Sequence, residues 1–128
     1  MIAGIGTDIV SIARIRNALL RHSGRFARKV LADEELRVYI ELSDGAPYVA
    51  KRFAAKEAFF KALGAPPSAA NTWHQLTIGN EPSGRPRLEF GQELAQLLHS
   101  CGINRWHVSL SDEREYAIAS IILERAST

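Results

Sequence analysis

Two carboxylates stand out because the residues around each of them favour burial. Glu57 lies in a predicted helix over residues 48–63. At about 100° per residue, its neighbours on the helix face, apart from one lysine, are small or apolar: Ala50, Phe53, Ala54, Phe60 and Gly64. Asp8 closes a predicted strand on the same face as Gly4 and Gly6. A carboxylate that packs inward has to be paired, protonated or bound to a cation.

A shared divalent cation would make both carboxylates tolerable. Magnesium prefers oxygen ligands and typically takes one or two carboxylates together with waters and substrate phosphate. The helix of Glu57 also carries four cations that could bind phosphate beside a metal: Lys51, Arg52, Lys56 and Lys61. Two structural alternatives stay open at this point. Glu57 could form an ordinary surface pair with Lys61 one turn later, and Asp8 could cap the following helix in competition with Ser11.

A third group of polar residues lies on a strand predicted over residues 106–111. His107, Ser109 and Ser111 alternate there with apolar residues and therefore share one face. This pattern is typical of a solvated strand face, but His107 could also bind phosphate or move a proton. Cys101, the only cysteine, has no activating neighbour in the sequence and is interpreted as a small packing residue.

Periodicity and turn residues predict the elements that position these side chains. Strands are expected over 2–10, 74–79, 86–90, 106–111 and 116–123, helices over 12–22, 26–31, 33–42, 48–63 and 91–101, and a linker at 68–71. The almost unbroken apolar run 116–123 predicts a central strand. Candidate core residues on the outer helices are Leu36, Val38, Ile40, Leu94, Leu97 and Leu98. The class is α+β, with helices packed on a mainly antiparallel sheet in a single small domain spanning residues 1–128.

Composition places the chain among ordinary globular proteins. It has 128 residues, of which 46% are hydrophobic and 23% charged, and its formal net charge of +2 does not by itself indicate a nucleic-acid-binding protein. Against Asp8 alone, the first 29 residues carry six cations: Arg14, Arg16, Arg21, Arg25, Arg28 and Lys29. Such a patch suits an acidic protein, a phosphate-rich ligand or nucleic acid. The single cysteine, the lack of a signal peptide and the lack of an apolar run of about 20 residues predict a cytoplasmic protein without a membrane span.

Three sequence segments form a pattern through their order and spacing. They read GIGTDIV at 4–10, RFAAKEAFFKALG at 52–64, and HVSLSDE at 107–113 followed by YAIA at 116–119. Together they resemble the small phosphopantetheinyl transferases of the holo-[acyl-carrier-protein] synthase type, and the resemblance extends from Met1 to about Glu124. It implies an enzyme that transfers the 4′-phosphopantetheine arm of coenzyme A to a serine of acyl carrier protein, converting the apo to the holo form for fatty acid biosynthesis.

The resemblance implies catalytic roles for three residues. Asp8 and Glu57 match the family's magnesium carboxylates, and Lys61 matches its pyrophosphate-contacting lysine. The carrier serine would attack the β-phosphorus of coenzyme A, and adenosine 3′,5′-bisphosphate would leave. Magnesium would neutralise the pyrophosphate, and Lys61 would stabilise charge that builds on the phosphate oxygens. The base that takes the serine proton stays open among a metal-bound water, Glu57 and His107.

The resemblance also implies binding roles. For coenzyme A, it implies that Arg52 lies near the nucleotide 3′-phosphate and that His107 and Ser109 line the site. It also implies that the loop NEPSGRP at 80–86 lies beside the adenine. It further implies that the acidic carrier protein docks on Arg14 and the basic residues after it, among them Arg21 and Arg25. Small members of the family are homotrimers with sites between subunits, which implies a homotrimer here.

Two rival functions come from other readings of the same residues. A basic nucleic-acid-binding module would use the first helix, but aromatic residues are not interleaved with its arginines as stacking platforms would be, and it leaves Glu57 unexplained. A magnesium-dependent nucleotide phosphohydrolase would use the same carboxylates and transfer phosphate to water. The expected partners are therefore acyl carrier protein and coenzyme A, with no nucleic acid.

Overall fold

A three-stranded antiparallel sheet and one long helix form the framework of the protein. The computed structural model describes residues 1–64 and 73–126. In chain order its elements are β1 (Ile2–Ser11), α1 (Ile12–Arg21), α2 (Arg25–Val30), α3 (Asp33–Tyr39), α4 (Ala46–Leu63), β2 (Leu76–Asn80), β3 (Pro86–Phe90), α5 (Gln92–Ser100), β4 (Ile103–Asp112) and β5 (Tyr116–Arg125). The main sheet has the order β1-β5-β4, and β2 and β3 form a hairpin. The α+β class and the central position of the last strand are both confirmed.

Local capping chemistry sets the limits of the helices. The Ser11 hydroxyl caps α1 by accepting a hydrogen bond from the backbone amide of Arg14 at 3.3 Å. α4 has a proline in its first turn, where the missing N–H leaves no hydrogen bond unmade. It ends at Gly64, whose φ of 83° is left-handed and suits glycine. The predicted end of this helix is confirmed, and its start lies two residues earlier than predicted.

α4 lies directly against β1 because β1 presents two glycines to it. A Cβ atom at Gly4 would lie 1.9 Å from the carbonyl oxygen of Ala62, and one at Gly6 would lie 1.8 Å from that of Ala58. Any side chain at either position would push the strand and the helix apart, because both distances are far inside van der Waals contact. Main-chain contact therefore fixes the spacing between the two elements that carry the predicted carboxylates.

Two apolar clusters share α4. One fills the space between α4, the main sheet, the hairpin and α5, and its members include Phe59, Leu76, Leu98, Ile121 and Leu123. The other lies between α1, α2 and α4, and its members include Ile12, Ile15, Val30, Val49 and Ala50. α4 is therefore buried on several sides, and its position depends on packing with almost every other element.

A buried ion pair accompanies these clusters. The Nζ atom of Lys56 lies 2.7 Å from Oε1 of Glu35, and Lys56 has 0% exposure. Burial lowers the pKa of the Lys56 ammonium, and the Glu35 carboxylate opposes that shift. Lys56 is therefore unavailable to a phosphate ligand, which corrects the expectation that all four cations of this helix could bind phosphate.

Three residues that were predicted to be core are exposed. α3 ends at Tyr39 rather than near residue 42, and it leaves Val38 48% and Ile40 71% exposed. Leu97 of α5 is also exposed, although the two leucines beside it in the predicted stripe are buried. Helical spacing identifies an apolar side chain but not whether a neighbouring element covers it.

Two further predictions concern the middle of the chain and the membrane. The strand expected at 74–79 is found at Leu76–Asn80, and the linker expected at 68–71 lies outside the described residues. Within 1–64 and 73–126, no helix combines the length and the apolar character that crossing a membrane requires.

The main sheet has one covered face and one open face. β5 packs against α4 through Ala117, Ala119, Ile121 and Leu123 on the covered face. The strand register builds the open face from three rows: Ile5 with Ile122 and His107, Thr7 with Ser120 and Ser109, and Ile9 with Ile118 and Ser111. Ile5 is 62% exposed, and the face combines apolar residues of β1 and β5 with polar residues of β4.

Candidate active site

A cleft of about 420 Å³ opens where β1 meets α1, beside α2 and α4. Asp8 and Glu57 both line it, together with Arg14 and the aromatic rings of Phe26 and Phe53. The structure thus brings the two predicted carboxylates to one site from elements that are far apart in the sequence.

Asp8 is held in place by a lysine from α4. The Nζ atom of Lys61 donates hydrogen bonds to Oδ1 of Asp8 at 3.0 Å and to the carbonyl of Thr7 at 3.2 Å. The side chain of Asp8 is largely buried, whereas that of Lys61 is half exposed. Ser11, and not Asp8, caps α1. Lys61 pairs with Asp8 of β1 rather than with Glu57. The structural alternatives considered for the two carboxylates, a helix cap for Asp8 and a surface pair with Lys61 for Glu57, are therefore not what the structure shows.

Glu57 has an environment that disfavours its ionised form. Burial raises the pKa of its carboxyl group, the negative charge of Asp8 raises that pKa further, and Lys61 lowers it. The negative charges of Asp8 and Glu57 therefore oppose each other in the cleft that both residues line. A cation bound between them would relieve the repulsion.

The donor set fits magnesium that is bound jointly with a phosphate ligand. Among the residues that the structure describes, no three His, Cys, Asp or Glu side chains cluster to hold a metal by themselves. Asp8 and Glu57 supply two carboxylates, and magnesium typically completes such a set with water and substrate phosphate oxygens. The cleft is open enough to admit that ligand, and Lys61 places a positive charge beside it.

The outer rim of the cleft is positively charged. Arg14 lines the cleft and is exposed, as are Arg21 and Arg25. Arg25 also borders a second depression of about 380 Å³, whose lining includes Lys29. Arg16 differs from the others because it pairs at 2.8 Å with a carboxylate of the loop before α4. Of the basic patch predicted from the sequence, Arg14 therefore lines the cleft itself, and Arg25 and Lys29 line a depression that shares Phe26 with it.

Arg52 lies on a different side of α4. It is only 4% exposed, its Nη2 atom donates a hydrogen bond to the carbonyl of Ile78 at 3.3 Å, and its guanidinium lies 3.9 Å from the ring centroid of Tyr48. It borders a separate cavity of about 150 Å³ that shares no lining residue with the carboxylate cleft. Within one chain, the structure does not bring Arg52 together with Asp8 and Glu57.

His107 and Ser109 also lie apart from the carboxylates. They are on the open face of the sheet, whereas Asp8 is on the covered face, so the sheet itself separates them. His107 Nε2 lies 2.5 Å from Oε1 of Glu124, and this hydrogen bond lowers the pKa of the Glu124 carboxyl. Of the two side chains considered as a base, only Glu57 lines the cleft of its own chain.

Sequence reasoning missed the aromatic wall of the cleft. The rings of Phe26 and Phe53 stack with centroids 6.0 Å apart, and both line the cleft. Helical spacing placed Phe53 beside Glu57, one turn earlier, but did not indicate that its ring lines a cleft. No local signal brings α2 and Phe26 to the same place.

Comparisons with known proteins agree with this geometry. The family model of the 4′-phosphopantetheinyl transferase superfamily matches residues 4–121. A holo-[acyl-carrier-protein] synthase of Vibrio cholerae is 44% identical over 125 residues, covering 98% of this chain and 99% of the relative.

Solved structures give the same result. The crystal structure of the holo-[acyl-carrier-protein] synthase from Neisseria meningitidis has a TM-score of 0.92 at 39% identity, and the match covers 98% of this chain and 100% of that one. That of the enzyme from Bacillus anthracis, in complex with CoA (3′,5′-ADP), has a TM-score of 0.80 at 30% identity, covering 98% and 99%. The chain therefore belongs to the 4′-phosphopantetheinyl transferase superfamily and, within it, to the holo-[acyl-carrier-protein] synthases.

Proposed function

We propose that this chain transfers the 4′-phosphopantetheine arm of coenzyme A to a serine of acyl carrier protein, for fatty acid biosynthesis. The observation that carries the proposal is the meeting of Asp8 and Glu57 at one cleft that Arg14 also lines, with Lys61 paired to Asp8. The relatives act, by name, on an acyl carrier protein, and one structural neighbour was solved with coenzyme A. A phosphate-binding centre next to a docking surface for an acidic protein is what this transfer needs.

The residues of this chain have distinct tasks in the reaction. Asp8 and Glu57 would hold Mg²⁺, which when bound neutralises and orients the pyrophosphate. Lys61 lies beside Asp8 and supplies positive charge where negative charge builds as the β-phosphorus is attacked. Of the two side chains considered as a base, Glu57 is the one that lines the cleft, so we assign to it the acceptance of the serine proton, directly or through a water molecule.

The carrier protein is proposed to dock on the basic rim. Arg14, Arg21 and Arg25 are exposed on α1 and α2, and Arg14 lines the cleft. An acidic partner there would be steered electrostatically, so its binding would weaken with salt. Docking on this side would present the carrier serine to Asp8 and Glu57.

We also propose that three chains assemble into a homotrimer through the open face. Ile5, Ile9, Tyr116 and Ile118 expose apolar surface there without a covering element in the described residues, and exposed apolar patches commonly mark interfaces. A neighbouring copy could bring its His107 and Ser109 towards a coenzyme A molecule bound beside Glu57. This would reconcile the binding roles expected for these residues with their distance from the carboxylates of the same chain.

The remaining assignments concern the nucleotide and the location. Arg52 and the hairpin tip at 80–86 are proposed to contact the 3′-phosphate and adenine end of coenzyme A. A cytoplasmic location, where coenzyme A and acyl carrier protein meet, is proposed with the activity.

Mass spectrometry of an apo carrier protein tests the activity. After incubation with the chain, coenzyme A and Mg²⁺, the carrier should gain one phosphopantetheine group, and adenosine 3′,5′-bisphosphate should appear in equal amount. A carrier variant with alanine in place of the target serine is the control. Loss of coenzyme A without a mass gain would identify a phosphohydrolase, and nucleic-acid binding without turnover would identify the basic binding module.

A further inference from the structure

Lys56 uses all of its hydrogen-bonding capacity in the interior of the protein. Its ammonium donates to Oε1 of Glu35 at 2.7 Å, to the carbonyl of Val30 at 2.7 Å and to the carbonyl of Trp73 at 3.1 Å. A lysine ammonium has three protons to donate. One side chain therefore ties α4 to the end of α2, to α3 and to the segment before β2.

Glu35 completes the same network from the other side. Its Oε1 atom also accepts from the amide of Ala32 at 2.9 Å, and its Oε2 atom accepts from the amide of Ile78 at 2.9 Å. Glu35 is 2% exposed, so these bonds are shielded from water. The pair thus connects the turn between α2 and α3 to strand β2.

α2 depends on contacts of this kind for its position. It has only six residues, and helices this short are not stable by themselves. Lys56 binds the carbonyl of its last residue, Val30, and the Nε2 of His74 donates to the carbonyl of Arg28 at 2.6 Å. Lys56 and His74 together form what we call the α2 clamp.

The cleft wall is attached to the clamped helix. Phe26 of α2 stacks on Phe53 of α4, and Phe53 packs against Trp73 with ring centroids 5.6 Å apart. Arg25, adjacent to Phe26, is one of the exposed cations proposed to meet the carrier protein. A shift of α2 would move this wall and this cation while leaving Asp8, Glu57 and Lys61 on β1 and α4.

We propose that Lys56 and His74 are positioning residues that hold α2 in the place where it receives the carrier protein. The proposal rests on the proposed docking of the carrier protein at α1 and α2. In this proposal the buried pair of Lys56 and Glu35 contributes to binding of the carrier protein rather than to the chemical step.

Steady-state kinetics of Lys56→Met and of the double variant Glu35→Gln/Lys56→Met test the clamp. The single variant leaves a buried carboxylate without its counter-ion and should lose stability, and the double variant should recover much of it because both charges are gone. In both variants the KM for the carrier protein should rise roughly three- to thirtyfold with kcat less affected, since a misplaced docking element weakens binding more than chemistry. A purely structural pair would instead restore the carrier KM together with the melting temperature in the double variant, and that result would overturn the proposal.

Hydrogen exchange supplies a second readout that does not need the buried variants to fold. His74 is exposed, so His74→Ala should keep the fold and the Lys56 contacts. The amides of Arg28 and Leu31, which bond within α2 to Gly24 and Ala27, should exchange about tenfold faster because α2 opens locally, and the carrier KM should rise. Wild-type exchange at both amides in His74→Ala would overturn the clamp.

Two further variants distinguish a general loss of stability from an error in the proposed docking surface. Leu98→Ala removes buried packing around α5, far from α2, and should lower the melting temperature while keeping the carrier KM. Arg25→Glu tests the docking surface directly, and it should raise the carrier KM without faster exchange in α2. An unchanged carrier KM in Arg25→Glu would show that the proposed docking surface is wrong. The role of the α2 clamp would then be tested by the exchange rates of His74→Ala alone.

Discussion

Lys61 holds its ammonium between two groups of β1, the carbonyl of Thr7 and the carboxylate of Asp8. Its side chain is 53% exposed, and exposed ion pairs of this type contribute only about 0–1 kcal/mol to folding. The same charge has a much larger effect on a phosphate that becomes more negative in the transition state, because the site excludes part of the solvent. Lys61 is therefore expected to matter for turnover far more than for stability.

Replacing Lys61 separates these two roles. Lys61→Met should change the melting temperature little and lower kcat by roughly ten- to a thousandfold, as removal of one charge-stabilising group does. Lys61→Arg should restore little, because the planar guanidinium places its charge differently from a compact ammonium. Thermal melts and steady-state rates measure both effects. Near-wild-type kcat in Lys61→Met would show that the lysine is structural.

The carboxylate pair predicts that magnesium stabilises the folded protein. A ligand that binds only the folded state raises stability, by about 2.7 kcal/mol at a hundredfold excess over its Kd. With coenzyme A present in all samples, the melting temperature of the wild type should therefore rise with millimolar Mg²⁺, and that of Asp8→Asn and Glu57→Gln should not. Calorimetry with sodium chloride at matched ionic strength is the control. An equal magnesium response in all three proteins would place the metal elsewhere.

At the scale of elements, the contact between β1 and α4 decides the geometry of the site. Neither element can approach or retreat without breaking main-chain packing at Gly4 and Gly6. Side-chain repacking in the core has less influence on the spacing, because no side chain lies between the two elements at these points.

A methyl group at Gly6 should therefore damage both fold and function. Gly6→Ala places its Cβ against the carbonyl of Ala58, and overpacking of this kind costs about 3 kcal/mol. Activity should fall further than stability explains, because Asp8 moves with the strand. Gln96→Ala, at an exposed position of α5 outside the open face, is the control and should stay within about 0.5 kcal/mol of the wild type. Urea unfolding of the two variants measures the difference.

The sequence predicted those features that depend on residues close together in the chain, and it failed where a feature depends on residues far apart in the chain. Strand alternation in β1 and helical spacing in α4 were enough to place Asp8 and Glu57 on inward faces, because both depend on neighbours in the chain. The exposure of Val38 and Ile40 was predicted wrongly, because burial there depends on distant elements.

Long-range partners explain the other failures. Lys56 was grouped with the phosphate-binding cations, since nothing local marks a lysine that pairs with Glu35, 21 residues earlier. The resemblance to a family supplied the roles of Asp8, Glu57 and Lys61 and those of Arg52, His107 and Ser109, and all of these roles stay predictions. That residues 1–128 act as one domain also stays a prediction.

At the scale of the whole molecule, the open face of the sheet leaves several apolar side chains exposed, among them Ile5, Ile9 and Ile118. Ile9 of β1 and Ile118 of β5 are paired in the strand register, so their side chains lie side by side on this face. We expect the wild type to have about three times the 14.1 kDa mass of one chain by light scattering, in keeping with the proposed homotrimer.

A charge on the open face tests this assembly. Ile118→Glu should shift the mass towards that of a single chain and lower the activity, because an unpaired carboxylate is costly to bury in an interface. Ile40→Glu, at an equally apolar exposed residue outside the open face, is the control and should leave the mass unchanged. A wild-type mass in Ile118→Glu would mean that the chains meet through another surface.

The alternation of β1 also has a consequence for how this sequence can change in length. Asp8 faces the helix while Thr7 and Ile9, its neighbours, face outward. Deleting one residue between Gly6 and Asp8 exchanges the two faces for every residue before it in the strand, because side chains alternate with a period of two. The glycines would then turn away from α4, and isoleucines would turn towards it. A one-residue deletion between Gly6 and Asp8 should therefore disturb the packing of β1 on α4 more than a substitution at Thr7, which keeps the alternation of the strand.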